Sequence, residues 1–252
     1  MTDSPASTAP PVFSIAGRVV MVTGAGRGIG HAIATGLARL GAIVYGMDVE
    51  FTDRENGFKA IHGDVGDEDA SDQLLSEIVS IDGRLDGLVN NAGISPPPDD
   101  CYSRATFERT LEINTLAPLR LSWTAAELMK RHGSGSIVNL TSLGAQFGFP
   151  DNPAYQASKA ALRQITKAMA VDYGRYGIRI NSLCPGYVVT AMTKRSWDDE
   201  DLRRARSQRM ILGRWGEPQD LIGPCAFLLS DAANYITGID LAVDGGWSAK
   251  GI

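Results

Sequence analysis

Four apolar residues, Val19-Val20-Met21-Val22, run into Thr23-Gly24-Ala25-Gly26-Arg27-Gly28-Ile29-Gly30, and a helical pattern with Ile29, Ile33, Leu37 and Leu40 on one face follows. A buried strand, a glycine turn and a helix in direct succession open a βαβ unit. Glycines there let the backbone turn tightly and approach a pyrophosphate with no Cβ in the way. The helix N-terminus then presents free N–H groups and its positive dipole end to the phosphates. A purely structural turn is the other reading of the same glycines.

The rest of the chain repeats this alternation. Ala42 to Met47, ending at Asp48, reads as a second strand and Ala60-Ile61-His62 as a third. Leu85 to Val89 gives a fourth, stopping at Asn90-Asn91-Ala92-Gly93, and Ser136 to Leu140 a fifth. Ile178 to Leu183 and Leu241 to Val243 complete the set. Helical patterns lie around Leu74, Leu75 and Ile78, and over 104–130, 153–173 and 221–229. Purely apolar strands alternating with helices predict an α/β fold in one domain, a doubly wound parallel sheet of Rossmann type with helices on both faces. Only about ten residues separate Asp48 from the third strand, too few for a full crossover helix, so a loop or single turn is expected there.

Composition narrows the function classes. The 252 residues are 44% apolar, enough for a full core, and the net charge of −5 disfavours nucleic acid and anionic membrane surfaces as partners. No apolar run approaches the roughly 18 residues of a membrane span. Residues 1–14, with Asp3, three prolines and no apolar stretch, read as a loose tail and not as a targeting peptide. Cys101, Cys184 and Cys225 are odd in number and far apart, which fits a reducing, cytoplasmic setting. Neither they nor His31, His62 and His132 have metal-ligand spacing, so no metal is expected. Cys184 reads as a small buried hydrophobe and not as a nucleophile.

Asp48 follows Gly30 by eighteen residues, near the roughly 20 expected of an acid that binds the adenosine ribose. A carboxylate there accepts bonds from both ribose hydroxyls and repels a 2′-phosphate, which favours NAD over NADP. Arg27 points the other way, and a helix cap or solvated strand end is the plain alternative for Asp48. Tyr155 and Lys159, four apart on a predicted helix, project from one face. Ser142, thirteen residues before Tyr155, follows the fifth strand. In an open parallel sheet ligands gather beyond the carboxyl ends of the strands, which puts Ser142 beside the glycine turn.

Together these motifs resemble the classical subgroup of the short-chain dehydrogenase/reductase family, from about Ala16 to Trp247. The resemblance rests on TGAGRGIG at 23–30, Asp64-Val65, NNAG at 90–93, Asn114, Ser142, YQASK at 155–159, Pro185-Gly186 with Thr190, and ITGIDLAVDGG at 236–246. It implies a catalytic set of Asn114, Ser142, Tyr155 and Lys159. It further implies NAD held by Gly24, Arg27, Gly28, Ile29, Gly30 and Asp48, with Asp64 and Val65 flanking the adenine. Asn90, Asn91, Ala92 and Gly93 would lie along the fourth strand's end, and Pro185, Gly186, Val188 and Thr190 along the nicotinamide, beside Tyr155 and Lys159. The glycine order and short length disfavour sugar-nucleotide epimerase or dehydratase chemistry.

An ordinary tyrosine titrates near 10, too high for a neutral-pH base, and a lysine ammonium and a positive nicotinamide both lower it. Tyr155 is thus the expected acid/base, with Ser142 donating to the substrate oxygen, and the resemblance implies that Asn114 orders a water behind Lys159. Ser95, Ser142, Gln146, Phe147, Asn152 and Tyr187 are the candidate substrate residues, and their polarity favours a polyol or sugar. Residues 190–214 are the candidate lid; its many cations read as a solvated helix face, or as one that supplies a partner for a substrate carboxylate. An NADPH-dependent carbonyl reductase and a non-catalytic dinucleotide sensor are the rival functions. A homo-oligomer, with a tetramer favoured, is implied by the resemblance alone.

Overall fold

The computed structural model describes residues 11–51 and 57–250. Seven parallel strands form one sheet: β1 (Val19–Thr23), β2 (Ile43–Asp48), β3 (Lys59–His62), β4 (Gly87–Asn90), β5 (Gly135–Leu140), β6 (Ile178–Pro185) and β7 (Asp240–Val243). Their spatial order is 3-2-1-4-5-6-7, so the winding reverses between β1 and β4 and opens a crevice at their carboxyl ends. Every residue of β1, β4, β5 and β6 is buried, including polar Ser136, Asn139, Arg179, Asn181 and Ser182, as expected of parallel strands covered on both faces.

Helices cover both faces: α1 (Gly28–Arg39), α2 (Glu68–Asp82), α3 (Arg104–Leu111), α4 (Ala117–Lys130), α5 (Pro153–Tyr173), α6 (Lys194–Asp198), α7 (Glu200–Arg209) and α8 (Ile222–Leu229). One core joins Met21, Leu88 and Ile137 of the sheet to Leu75, Ile78, Leu121 and Met129 of α2 and α4. The opposite core joins Val20, Val22 and Val138 to Ile33 and Leu37 of α1 and Leu228 of α8. Leu40, expected on the apolar face of α1, lies past its end and is half exposed, because the chain turns at Gly41 into β2.

Two expectations need correction. The single helix over 104–130 is two helices joined by a wide π turn, Glu112–Leu116. Pro118 has no N–H to offer the Asn114 carbonyl four residues back, so the α ladder cannot run through this point. The tail is not loose throughout. The Val12 carbonyl accepts from the Ala232 N–H at 2.9 Å, and the Phe13 ring lies 6.4 Å from that of Phe227 on α8. The segment after Asp48 has no helix over Val49–Phe51 and Gly57–Phe58, while Asp53 to Asn56 lie outside the described residues. There Phe51 and Phe58 cover the sheet in place of a helix, with Phe51 5.2 Å from His62 and Phe58 5.9 Å from His31.

Candidate active site

The glycine turn is shaped by close contacts as well as by conformation. Gly24 and Gly28 have φ of +66° and +60°, where a side chain is strained. A Cβ on Gly24 would come within 2.7 Å of the Asn91 carboxamide, and one on Gly26 would collide with the Glu50 carbonyl. The Asn91 amide donates to the Thr23 and Gly24 carbonyls, both at 3.0 Å, while the Asn91 and Ala92 N–H groups donate to Thr23 Oγ1. The end of β4 thus clamps the turn.

Helix α1 starts at Arg27, which is extended and makes no side-chain cap bond, and its first turn holds no acid. By contrast α2, α3 and α7 are capped by Asp67, Ser103 and Asp199. Uncapped N–H groups at a positive helix end fit the diphosphate of a dinucleotide. The open side of Gly28 faces the Thr190 methyl, 3.6 Å from where a Cβ would be, so the turn and the start of the lid border one cleft.

Asp48 ends β2 against this turn, accepting from Gly26 N–H at 2.8 Å and Glu50 N–H at 3.3 Å. The plain structural role and a ribose-binding role are therefore compatible, since each carboxylate oxygen keeps a further lone pair. Arg27 is exposed at the rim. Asp64 bonds the Gly66 N–H at 2.8 Å and stands 3.8 Å from Arg109, while the Val65 side chain is buried in the core and leaves only backbone to face an adenine.

Two of the expected cofactor residues turn their side chains into the interior. Asn90 points away from the crevice into the sheet's other face, its amide donating to Asn139 Oδ1 at 2.8 Å and Ser122 Oγ at 2.9 Å. Its side chain ties β4 to β5 and α4, because strand residues alternate faces and Asn91 takes the turn side. The Val188 side chain is likewise buried in the core, and its carbonyl accepts from Thr193 Oγ1 at 2.6 Å. Thr193 Oγ1 also accepts from the Thr190 N–H at 3.0 Å, and Gly186 N–H bonds Val243 O, fixing the chain after Pro185.

The catalytic candidates come together at the carboxyl ends of β4 and β5. Ser142 lies near the Tyr155 phenol, and its Oγ accepts the Gly144 N–H at 3.1 Å. Burial pushes the Tyr155 phenol above its ordinary value, while the nearby Ser142 hydroxyl pulls it down. Lys159 is buried, donates to the Leu140 carbonyl at 2.7 Å and has its Nζ 5.8 Å from the Tyr155 ring centroid. Burial lowers its amine to about 8. Asn114, on the π turn, accepts from Ile94 N–H at 2.8 Å and donates to Ile94 O at 2.9 Å and Ser158 Oγ at 3.0 Å. Gly93 leaves room between Asn114 and Lys159: a Cβ there would lie 3.1 Å from Asn114 Oδ1 and 3.5 Å from Lys159 Nζ.

Of the expected substrate residues, Ser95 and Asn152 are joined, Asn152 Nδ2 donating to Ser95 Oγ at 2.8 Å just ahead of Tyr155. Gln146 is exposed. Tyr187 belongs to an aromatic wall that residue typing missed, with Phe149 6.1 Å, Trp215 5.2 Å and Trp247 6.4 Å away. Phe147 joins it through Trp247 at 5.0 Å. The signal was there to read, since three of the four tryptophans, Trp197, Trp215 and Trp247, follow Thr190. Cys184 is buried beneath this wall with its thiol pushed up to about 11, so it is an inert hydrophobe. Among the described residues no group of acids, histidines and cysteines forms a metal site, and no helix is long and apolar enough to cross a membrane.

A family model described as enoyl-(acyl carrier protein) reductase matches residues 24–248. The chain belongs to the short-chain dehydrogenase/reductase family. Within that family it is 38% identical over 249 residues to gluconate 5-dehydrogenase of Gluconobacter oxydans, covering 94% of this chain and 97% of that one. It is 33% identical to 2-dehydro-3-deoxy-D-gluconate 5-dehydrogenase of Dickeya dadantii, covering 94% and 98%. Among solved structures, gluconate 5-dehydrogenase of Burkholderia cenocepacia in complex with NADP and tartrate superposes with a TM-score of 0.87 at 33% identity, covering 95% and 98%. The chain is an oxidoreductase acting on CH–OH groups, and its cofactor is a nicotinamide dinucleotide.

Proposed function

We propose that this enzyme moves a hydride between NAD(H) and a secondary alcohol or ketone of a polyhydroxylated, sugar-type substrate, with sugar acids the first class to try. The observation that carries the reaction is the grouping of Ser142, Tyr155 and Lys159 at the end of β5, with the Lys159 amine 5.8 Å from the centre of the phenol ring. The substrate class is supported by the two gluconate-type dehydrogenases above and by the polar Ser95–Asn152 pair next to Tyr155.

When bound, the nicotinamide supplies or accepts the hydride. The chain's own residues handle the proton. Ser142 donates to the substrate oxygen as negative charge develops on it, and Tyr155 takes the alcohol proton on oxidation or returns it on reduction. Lys159 adds positive charge that favours the phenolate, and its bond to the Leu140 carbonyl fixes its position. Gly24, Gly28, Ile29 and Gly30 would hold the diphosphate on the open end of α1. Asp48 would bind the adenosine ribose, Asp64 and Val65 the adenine, and Thr190 the carboxamide.

Asp48 supports NAD, since its carboxylate stands against the glycine turn where a 2′-phosphate would bring a second anion. NADP is the second reading, favoured by the NADP in the Burkholderia relative and by exposed Arg27. The proposal includes residues 190–214 as a substrate lid. It also includes a homo-oligomer, tetramer favoured, supported by Leu116, Trp123 and Val171 standing exposed on the π turn, α4 and α5. Three free, buried thiols fit a cytoplasmic setting. The test is nicotinamide absorbance over a panel of polyols, sugars and sugar acids with NAD⁺ and NADP⁺ separately, with Tyr155→Phe as control. Turnover that survives in the mutant refutes the assigned base.

A further inference from the structure

Helix α7 carries cations on two sides, and the two sides are treated differently. Arg204 faces the acids of its own helix, 3.6 Å from Glu200 and 3.9 Å from Asp201. Arg203, Arg206 and Arg209, three residues apart along one stripe, have no carboxylate within ion-pair distance among the described residues. Each instead lies over an aromatic ring: Arg203 over Trp197 at 5.4 Å, Arg206 over Tyr187 at 4.5 Å and Arg209 over Trp247 at 4.1 Å. A solvated helix face has no reason to set every unpaired cation on one side and bind it to a wall of rings.

Arg206 meets two of these rings, Tyr187 and Trp215. It lies 5.9 Å from Trp215, and its positive charge works against the rise that burial imposes on the Tyr187 phenol. Tyr187 immediately follows Gly186 at the end of β6, and its ring meets that of Phe149. The Phe149 backbone is held at both ends by the Gln156 side chain, N–H to Oε1 at 2.8 Å and Nε2 to the carbonyl at 2.7 Å. Gln156 is the neighbour of Tyr155. Leu143, next to Ser142, and Cys184, next to Pro185, are buried in the same aromatic cluster. The wall bearing Arg206 is therefore built on the residues that carry Ser142 and Tyr155.

We propose that Arg206, seated on the Tyr187 ring, binds the carboxylate of an acidic substrate whose reacting hydroxyl lies at Ser142 and Tyr155, and so selects sugar acids over neutral sugars and polyols. A planar guanidinium with one face on a ring keeps its edge N–H groups for a carboxylate, and the ring pre-orients it. The assignment rests on the polyhydroxylated-substrate reading above and names the class within it.

The test compares D-gluconate with sorbitol, the same carbon chain with a hydroxymethyl group in place of the carboxylate, on the full-length enzyme, Arg206→Gln and Arg206→Lys. The ratio of kcat/KM for gluconate to that for sorbitol is expected to fall roughly 10- to 100-fold in Arg206→Gln, mostly through KM, and to recover in part in Arg206→Lys. Equal losses on both substrates, or an unchanged ratio, overturn the assignment. A wild type that oxidises sorbitol but no sugar acid overturns it too, and leaves the dehydrogenase reading standing. Tartrate binding by calorimetry gives a readout that needs no turnover. If neither substrate is oxidised, weaker tartrate binding in Arg206→Gln upholds the anion site while the assigned reaction fails, and equal binding refutes the site.

Discussion

The Lys159 amine donates to the Leu140 carbonyl at 2.7 Å while standing 5.8 Å from the centre of the Tyr155 ring. The lysine is thus tied to the end of β5 and acts on the phenol through space. Its charge is costly where it sits, since burial brings the amine down to about 8. Tyr155 is shifted upward by the same burial, so both groups of the pair are pushed toward their neutral forms until something negative or positive binds beside them.

The direction of these shifts fixes the pH dependence of catalysis. Alcohol oxidation needs the Tyr155 phenolate, and the phenol lies above its ordinary value in the ligand-free protein. We expect kcat/KM for oxidation to climb steadily from pH 7 to about 10, and carbonyl reduction, which needs the phenol, to stay nearly level over that range and to fall only above it. Tyr155→Phe should lower kcat by roughly 10²–10⁴-fold in both directions. Profiles in the two directions check this, and an oxidation rate flat across the range would rule out Tyr155 as base.

Lys159 also makes a stability prediction. Its folded value of about 8 lies below the ordinary 10.5, so the folded state disfavours the charge. That penalty is full below about 8 and disappears as pH rises through 10.5. Lys159→Met should therefore raise the ligand-free Tm at pH 7 by roughly 2–4 °C per kcal/mol relieved, less the cost of the Leu140 carbonyl losing its donor. Turnover should collapse in the same variant. Thermal melts at pH 7 and pH 10 decide it: the gain must shrink at the higher pH.

Asp48→Asn separates charge from scaffolding. The amide oxygen can still accept the Gly26 N–H, now 2.8 Å from the carboxylate, so the turn should keep its shape. Without the negative charge, the ratio of kcat/KM for NAD to that for NADP should drop at least roughly tenfold. Dinucleotide titrations with both cofactors test this, and an unchanged ratio would assign Asp48 to the loop alone.

Two glycines should respond in opposite ways. A Cβ at Gly26 would collide with the Glu50 carbonyl and lie 2.9 Å from the Asp48 Cγ, so Gly26→Ala should cost about 1–3 kcal/mol and weaken dinucleotide binding. Gly223, in α8, has nothing within 4 Å of that position. Gly223→Ala should be neutral or stabilise by about 0.5–1 kcal/mol. Chemical denaturation of the two variants checks both signs.

The strand–turn–helix opening and the six later strands were legible because short runs rich in apolar residues recur between helical patterns. α5 was legible to the residue, from Pro153 to Tyr173. The break at Glu112–Leu116 was missed although Pro118 advertised it, because periodicity alone does not register one extra residue in a turn. Asn90 and Asn91 looked alike as sequence, yet only a strand's alternation of faces sends one into the β5 and α4 contacts and the other onto the glycine turn. The arginines of α7 read as a solvated face because the rings they cover come from Tyr187, Trp197, Trp215 and Trp247, on other segments of the chain.

What the sequence by itself determined is local: which runs are strands and helices, where the backbone must turn without a Cβ, and which side chains can exchange a proton. Apolar periodicity, glycine sterics and residue chemistry act within a few positions of one another, so they can be read along the chain. Tertiary structure alone decided the rest. It buried Lys159 enough to lower its amine to about 8, brought Ser142 near Tyr155, and set Arg206 over Tyr187 with no acid beside it. Desolvation and long-range pairing depend on which distant segments meet, and that is fixed only when the sheet closes and the aromatic wall packs over its carboxyl end.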